Sequence, residues 1–411
     1  MLNFGTLIYI VGFFLEYLNS VEVLLFLVAF VLLYHILLHY FKDKKYISIA
    51  KKFQDIETIT LKDLKSYPLV NFIIPAWNEG RAFEDCLISI TKLNYPNIKV
   101  IINAGGSDDT LKIAHSFKES HNFIILKQEK GIYLIQGHNK IRALNQCFDY
   151  VSEGILFLLD ADCYITDEIL LRMIYPIINN GENLVCAGVR PLKSQESIDI
   201  VKYVHISRFD LINRKFTRYT FGGITGANAC LSYNVLKKIG KFSENRLIIE
   251  EVSRGKDLAN HGFSSYDLID YRSWIYTEYP VKLKEVYNQR KRFIMYKFLY
   301  SLQIKNLKPI IFILIIFAIS VYVLILPIIF FMHQGFFALG LLFLFSFYLK
   351  KIRKYLSFKE FIGSESYLKF KLRFFLKMLI YIYMEMIFNI KIMIGLIPFI
   401  LKYKRQKIRQ I

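Results

Sequence analysis

Apolar residues occur along this chain in two styles. Towards both ends they run unbroken, and in the middle they come in short bursts separated by turn-formers and amphipathic stretches. The run from Val21 to Phe41, VEVLLFLVAFVLLYHILLHYF, is long enough to cross ~30 Å of hydrocarbon as a helix. Phe4 to Leu18 is apolar but shorter and contains Glu16. It reads as a second span, with an interfacial helix or a signal-like segment as alternatives. No small-residue cleavage site precedes Val21, so removal of this end is not expected.

In the middle, Val70 to Ile74, Val100 to Ile102, Phe123 to Leu126 and Ile155 to Leu159 read as strands buried on both faces. Ala82 to Leu93 and Thr110 to Phe117 read as helices between them. Strands recurring about every thirty residues, with helices in between, predict parallel βαβ units and an α/β sheet covered on both sides. Ligands then belong at the carboxyl ends of the strands. Beyond Tyr279, the basic and aromatic stretch to Lys308 suits helices lying on a membrane surface. Pro309 to Met332 reads as a span, and Gly335 to Leu349 as a shorter one. Met378 to Ile400 contains Glu385, Asn389 and Lys391, so a re-entrant hairpin and a polar, channel-facing helix are both open. The organisation expected is an N-terminal membrane segment over 1–45, an α/β domain over 46–280, an interfacial amphipathic region over 281–308 and a C-terminal transmembrane region with a basic tail over 309–411.

Composition agrees with that division. The 411 residues are 54% hydrophobic and 16% aromatic, more than one soluble domain needs. The formal charge of +20 comes from basic residues gathered beside apolar segments, which favours anionic membrane lipids as partners and argues against nucleic acid. Lys42, Lys44 and Lys45 after the first span, and Lys402, Lys404, Arg405, Lys407 and Arg409 in the tail, place those ends inside by the positive-inside rule. Five cysteines without a CxxC pair predict buried thiols in a reducing compartment, with neither a disulfide framework nor a structural zinc site.

Six constellations carry candidate chemistry. VNFIIPAWNE (70–79) is read as a strand that stops at Pro75 and delivers Asn78 and Glu79 to a loop, although strands followed by polar loops are common without a ligand. IINAGGSDDT (101–110) ends a strand in two glycines, either for close backbone approach to a ligand or for steric reasons alone. ILFLLDADC (155–163) sets Asp160 and Asp162 two apart after an apolar strand, a spacing at which both carboxylates can face a divalent cation bridging two phosphates. ITGANA (224–229) offers small residues for close approach or tight packing. Glu250 and Glu251 are adjacent, so at most one aims at a reacting centre if they are helical. Gln289, Arg290, Lys291, Arg292 and Phe293 could clamp phosphate and stack on a sugar, or anchor lipid headgroups.

Taken in order, with NKIRALN (139–145) between the second and third, these segments resemble glycosyltransferase family 2 of the GT-A fold. The likeness is to membrane polysaccharide synthases of the cellulose, hyaluronan and poly-N-acetylglucosamine type, over roughly Val70 to Phe293. The resemblance implies a GT-A-like, mostly parallel α/β domain on the cytoplasmic face of the plasma membrane, carried by N- and C-terminal transmembrane helices in a multi-pass protein. It implies inverting transfer from a nucleotide-sugar, a UDP-sugar first, to a growing polysaccharide or lipid-linked acceptor. Asp160 and Asp162 match the family's DxD, whose second carboxylate holds Mg²⁺ or Mn²⁺ on the diphosphate. Lys140 matches the lysine facing the donor, and Pro75, Asn78 and Glu79 match the first nucleotide-binding loop. Glu251, preceded by Glu250, falls at the general base, and Gln289, Arg292 and Phe293 fall on the Gln-x-x-Arg-Trp motif beside acceptor and diphosphate.

Three departures are visible. The segment that commonly recognises uracil reads Asn103, Ala104, Gly105 and Gly106, which weakens the case for uridine. The base is Glu instead of Asp, ~1.5 Å longer in reach. The Trp is Phe293, which keeps a stacking face but loses the indole N–H. A single-addition transferase acting on a polyprenyl phosphate or glycolipid is the nearest alternative. A non-catalytic nucleotide-binding scaffold or transporter is the alternative from another class.

Overall fold

A computed structural model of the protein describes residues 20–51, 58–118, 122–128, 136–208, 219–221, 224–244, 250–303, 305–332, 334–362 and 372–408. The expected Phe4 to Leu18 element lies outside them. The strands are β1 (Val70–Trp77), β2 (Ile98–Gly105), β3 (Phe123–Lys127), β4 (Ile155–Leu159), β5 (Cys163–Tyr164), β6 (Leu184–Ala187), β7 (Val189–Pro191), β8 (Tyr219–Phe221), β9 (Asn228–Ser232), β10 (Ser264–Leu268) and β11 (Ile275–Thr277). Eight form one sheet in the order β3-β2-β1-β4-β9-β6-β10-β8, and β5-β11-β7 form a small second sheet. β3-β2-β1-β4 and the β6-β10 pair are parallel, whereas β9 runs antiparallel between β4 and β6 and β8 runs antiparallel to β10.

The unbroken apolar strands are explained by burial on both faces. Val70, Phe72 and Ile74 of β1, Val100 and Ile102 of β2, and Phe157 and Leu159 of β4 belong to one core, while Ile73, Ile101, Leu156 and Leu158 belong to another on the opposite face. Each such side chain contributes about 1.5–3 kcal/mol by leaving water. The second core is closed by Ile141, Leu144 and Phe148, spaced three and four apart on helix Gln136–Phe148. The first core continues into Phe358, Phe361, Phe374 and Met378 of the C-terminal helices. At that junction His205, Tyr271 and Trp274 pack on Phe358 and Phe361, with ring centroids 4.9 to 5.9 Å apart.

Among the described residues three helices are long and apolar enough to cross a membrane, within Val23–Ser48, Gly335–Ile362 and Arg373–Leu396. Helix Ser20–Lys51 packs along helix Gln334–Ile362. Between them lies a buried ion pair of Asp43 with Arg353, in which the carboxylate also accepts from Ser357 Oγ at 2.8 Å.

Three element readings are corrected, and one that was open between a hairpin and a helix is decided for the helix. β1 does not stop at Pro75 but runs to Trp77. Proline is tolerated there because β4 pairs only with Val70–Ile73, so the missing N–H falls past the end of that ladder. β2 extends through Asn103 and Ala104 to Gly105, which puts those residues in the strand. The expected span from Pro309 to Met332 is two helices, Lys308–Leu324 and Leu326–Met332. Pro327 lacks the N–H that would continue the first, whose 17 residues reach only about 25 Å. Finally, Met378 to Ile400 forms no hairpin: it lies in one helix, Leu372–Ile408.

Candidate active site

The carboxyl ends of β1, β2 and β4 and the amino end of antiparallel β9 meet at one edge of the sheet. Leu159, the last residue of β4, pairs with Asn228, the first of β9. This register brings the Asp160–Asp162 segment and the 224–227 loop to the same place. Asp160 accepts from Lys140 Nζ at 2.5 Å, so helix Gln136–Phe148 supplies the cation beside the first carboxylate. That helix is tied down by Asn103 Nδ2, which donates to Gln146 Oε1 at 2.7 Å, and by Asn145, which exchanges hydrogen bonds with the Phe242 backbone at 2.8 and 2.9 Å.

Asp162 sits where the chain leaves the large sheet for β5. Its backbone carbonyl accepts from Glu278 N at 3.4 Å, and Thr277 hydrogen-bonds its side chain. Burial, followed by the nearby Asp160 carboxylate, pushes the Asp162 carboxyl up to about 6, while Lys140 acts in the opposite sense. Glu79 feels the same field. Burial and then Asp162 and Asp160 raise it to about 7. The edge is therefore a confined set of acids that repel one another, with Lys140 as the cation among them. Among the described residues, no three His, Cys, Asp or Glu side chains close on one point.

The loops around this edge are fastened to each other. Asn78, with φ of 58°, accepts from Ser107 N at 2.6 Å through Oδ1, and its own N–H donates to Gly105 O at 3.2 Å. Thr110 Oγ1 accepts from the N–H groups of Glu79 at 2.9 Å and Gly80 at 3.2 Å. Gly106 has φ of 130°, and a Cβ there would lie 2.1 Å from Asn78 Oδ1, so both conformation and space require glycine. Across the sheet, Glu251 Oε1 accepts from Gly226 N at 3.1 Å. Arg254, one turn later on helix Glu250–Asn260, is fully buried on the same side.

The structure thus gathers Glu79, Lys140, Asp160 and Asp162 at one edge, with Glu251 anchored to the loop that feeds β9. Two residues expected to face the donor are set within strands. Pro75 is buried within β1, and Asn103 is fully buried with its amide turned to helix Gln136–Phe148, because both fall inside extended strands. The Glu250 side chain lies outside the described residues. Gln289 and Phe293 line a separate cavity of about 410 Å³ among the C-terminal helices. There Arg290 and not Arg292 is the arginine of this motif in the wall, since positions 289, 290 and 293 share a helix face that excludes 292. Sequence reading missed Thr277, Gly226 in its contact role, and Arg254. Only Arg254 carried a signal, its i+3 spacing from Glu251.

Comparison with known proteins bears on this arrangement. Residues 71–240 match the family model described as Glycosyl transferase family 2. The chain is 27% identical over 189 residues to poly-beta-1,6-N-acetyl-D-glucosamine synthase of Staphylococcus epidermidis, covering 45% of this chain and 44% of that one. It is 27% identical over 130 residues to the enzyme of the same name from Staphylococcus aureus, covering 31% and 30%. The chain thus spans less than half the length of these curated relatives. Among solved structures it resembles a mannosyltransferase from Pyrobaculum calidifontis in complex with GDP-Man and Mn²⁺, with a TM-score of 0.50 at 14% identity over 91% of this chain and 99% of that one. That likeness concerns the fold. The segment that matches the Glycosyl transferase family 2 model thus carries the GT-A-like mixed sheet and its acidic edge.

Proposed function

We propose that the protein is a membrane-bound, inverting glycosyltransferase that takes sugar from a nucleotide-sugar, a UDP-sugar first, and passes it to a growing polysaccharide or lipid-linked acceptor. The observation that carries this is the gathering of Glu79, Lys140, Asp160 and Asp162 at the carboxyl ends of β1 and β4, beside a loop holding Glu251. The family match and the polysaccharide synthase relatives support it.

A divalent cation, Mg²⁺ or Mn²⁺, fits this edge. Its donors are oxygen only, and the proton affinity of Asp162 and Glu79 is raised by burial and then by neighbouring carboxylates whose repulsion a cation would relieve. Asp160 and Asp162 would hold it, and it would supply charge neutralisation on the departing diphosphate. Lys140, braced by Asp160, is the further cation for that diphosphate. Asn78 and Gly106 shape the floor under the nucleotide, and Glu251 takes the proton of the acceptor hydroxyl as that oxygen attacks the anomeric carbon. Its bond to Gly226 fixes the direction of the carboxylate. The domain would face the cytoplasm, where nucleotide-sugars are made, and the three apolar helices would hold it at the plasma membrane.

The test is a screen of nucleotide-sugars with the full chain in membranes, reading donor-dependent release of nucleoside diphosphate together with labelled glycan or glycolipid. Release should disappear with EDTA and with Asp162→Ala. Full activity in EDTA would overturn the metal assignment, and absence of transfer from every donor would leave a binding scaffold.

A further inference from the structure

Helix Glu250–Asn260 brings a second charged group to the loop that feeds β9. We infer that Arg254 is a positioning residue for the proposed base: its buried guanidinium sets the plane in which the Glu251 carboxylate lies. This rests on the reading of Glu251 as the base and adds the group that aims it.

Arg254 is completely buried and heads the fully buried side chains in size among the described residues. A guanidinium keeps its charge even in a protein interior, so the fold encloses a full positive charge here. Such a charge is tolerated when a carboxylate is held against it. Two carboxylates stand one turn away on the same helix, Glu251 three positions before and Asp257 three after. Asp257 faces another segment, where its Oδ2 accepts from Ser243 N at 3.1 Å. Glu251 meets Arg254 at the loop. A Cβ placed on Gly226 would lie 2.5 Å from Glu251 Oε1 and 3.2 Å from Arg254 Nη2, so carboxylate and guanidinium converge on one point beside the chain that enters β9.

The guanidinium has firm backing. Leu258, one turn further along the helix, lies in the second core and fixes the rotation of the helix. Arg254 Cζ is 5.9 Å from the centre of the Phe242 ring. The Phe242 backbone in turn exchanges hydrogen bonds with Asn145 at 2.8 and 2.9 Å, the contacts that also tie down the helix of Lys140. The group that aims the base and the cation beside Asp160 therefore share one support.

The length of the base explains why such a group is needed. Gly226 N donates to Glu251 Oε1 at 3.1 Å, and a donor at one oxygen sets that oxygen's position but not the plane of the carboxylate. A glutamate has one more side-chain torsion than an aspartate, hence more orientations to be excluded. A fixed charge on the Arg254 side excludes them more firmly than a second neutral amide would, since interactions with an ionised donor are the stronger ones. The longer base and the buried arginine form one arrangement.

The test is a double-mutant cycle in the purified full chain, crossing Arg254→Met with Glu251→Gln. Transfer of labelled sugar from UDP-N-acetylglucosamine, or from whichever nucleotide-sugar the donor screen shows to be used, gives kcat and the donor KM. Arg254→Met, similar in length but uncharged, should lower kcat by about tenfold or more and leave the donor KM within about twofold, because a misaimed base costs rate and not donor affinity. Arg254→Lys, which keeps the charge without the planar fork, should recover part of the loss. In the Glu251→Gln background Arg254→Met should change kcat by less than about twofold, since no base is left to aim. Melting temperatures accompany the rates. Should Arg254→Met fail to fold, Arg254→Lys replaces it in the cycle, and its smaller loss must likewise vanish in the Glu251→Gln background. Near-normal kcat in folded Arg254→Met would overturn the inference. So would losses that multiply in the double variant, which would leave Arg254 as a structural charge alone. Near-normal transfer in Glu251→Gln would remove the base and this inference with it, whereas a large loss there combined with multiplying effects refutes this inference alone.

Discussion

Gly226→Ala isolates the geometry of the proposed base without touching the base itself. Gly226 is not among the glycines with positive φ, so alanine can adopt its backbone conformation. A Cβ there would lie 2.5 Å from Glu251 Oε1 and 3.2 Å from both Glu251 Cγ and Arg254 Nη2. To reach ordinary contact near 3.4 Å, the carboxylate oxygen must retreat by about 0.9 Å. The atom displaced is the end of a flexible side chain, so the fold absorbs the methyl at small cost. The Gly226 N–H bond is stretched, a loss of about 0.5–1.5 kcal/mol. Misplacing a reacting group by ~1 Å costs roughly 10²-fold in rate, or about 2.7 kcal/mol of barrier. Transfer of labelled sugar by the purified chain should therefore fall about a hundredfold in kcat, with the donor KM and the melting temperature nearly unchanged. Near-normal transfer in Gly226→Ala would refute the placement of Glu251 at the reacting centre. A collapse of the melting temperature would show instead that the loop is purely structural.

Three further outcomes follow from the same coordinates. Glu251→Gln should lower transfer by roughly 10²-fold or more while leaving donor and metal binding intact, Glu250→Gln should be milder, and Glu251→Asp should also lose activity; the reverse order in a kinetic comparison would shift the base by one residue. Because Asp162 is raised to about 6 and Glu79 to about 7, protons compete with a divalent cation, which prefers the ionised carboxylates. Mn²⁺ affinity measured by calorimetry should therefore rise with pH and fall by up to about tenfold per unit below pH ~6, with protons released on binding, whereas a flat profile from about pH 5 to about pH 8 would contradict the site. Gly154→Ala should destabilise the chain by at least about 1–3 kcal/mol in thermal unfolding, since its φ is 83° and a Cβ would sit 2.0 Å from the Leu69 carbonyl.

Much of the site was legible because it is local in sequence. Asp160 and Asp162 follow an apolar strand directly, and the structure leaves them where that strand opens. The adjacent acids at 250–251 were equally visible, and only the Glu251 side chain can be placed, on Gly226. The first errors concerned strand length. Pro75 reads as a strand terminator, yet it stays in the ladder because the β1–β2 pairing, which includes Pro75 and Asn103, continues where β4 has already left. Both side chains are buried within their strands.

What the sequence determined by itself is the set of elements whose cause is short-range. Strands buried on both faces declare themselves by unbroken aliphatic runs, helices able to span by length and apolarity, and the paired carboxylates at the sheet edge by their position after a strand. What only the tertiary structure decided is which distant segments share a surface. β9 runs antiparallel beside β4, so residues 226 and 251 arrive at the edge that holds Asp160. Arg290, and not Arg292, faces the cavity because the rotation of helix Leu283–Gln303 is fixed by Asn389, which accepts from Arg290 at 2.9 and 3.0 Å. Arg208, Lys351 and Glu385 lie far apart in sequence and meet only because three helices pack together. Pairings of this kind, such as Gly226–Glu251 and Arg290–Asn389 at separations of 25 and 99 positions, join separate elements, and local periodicity carries no information about them.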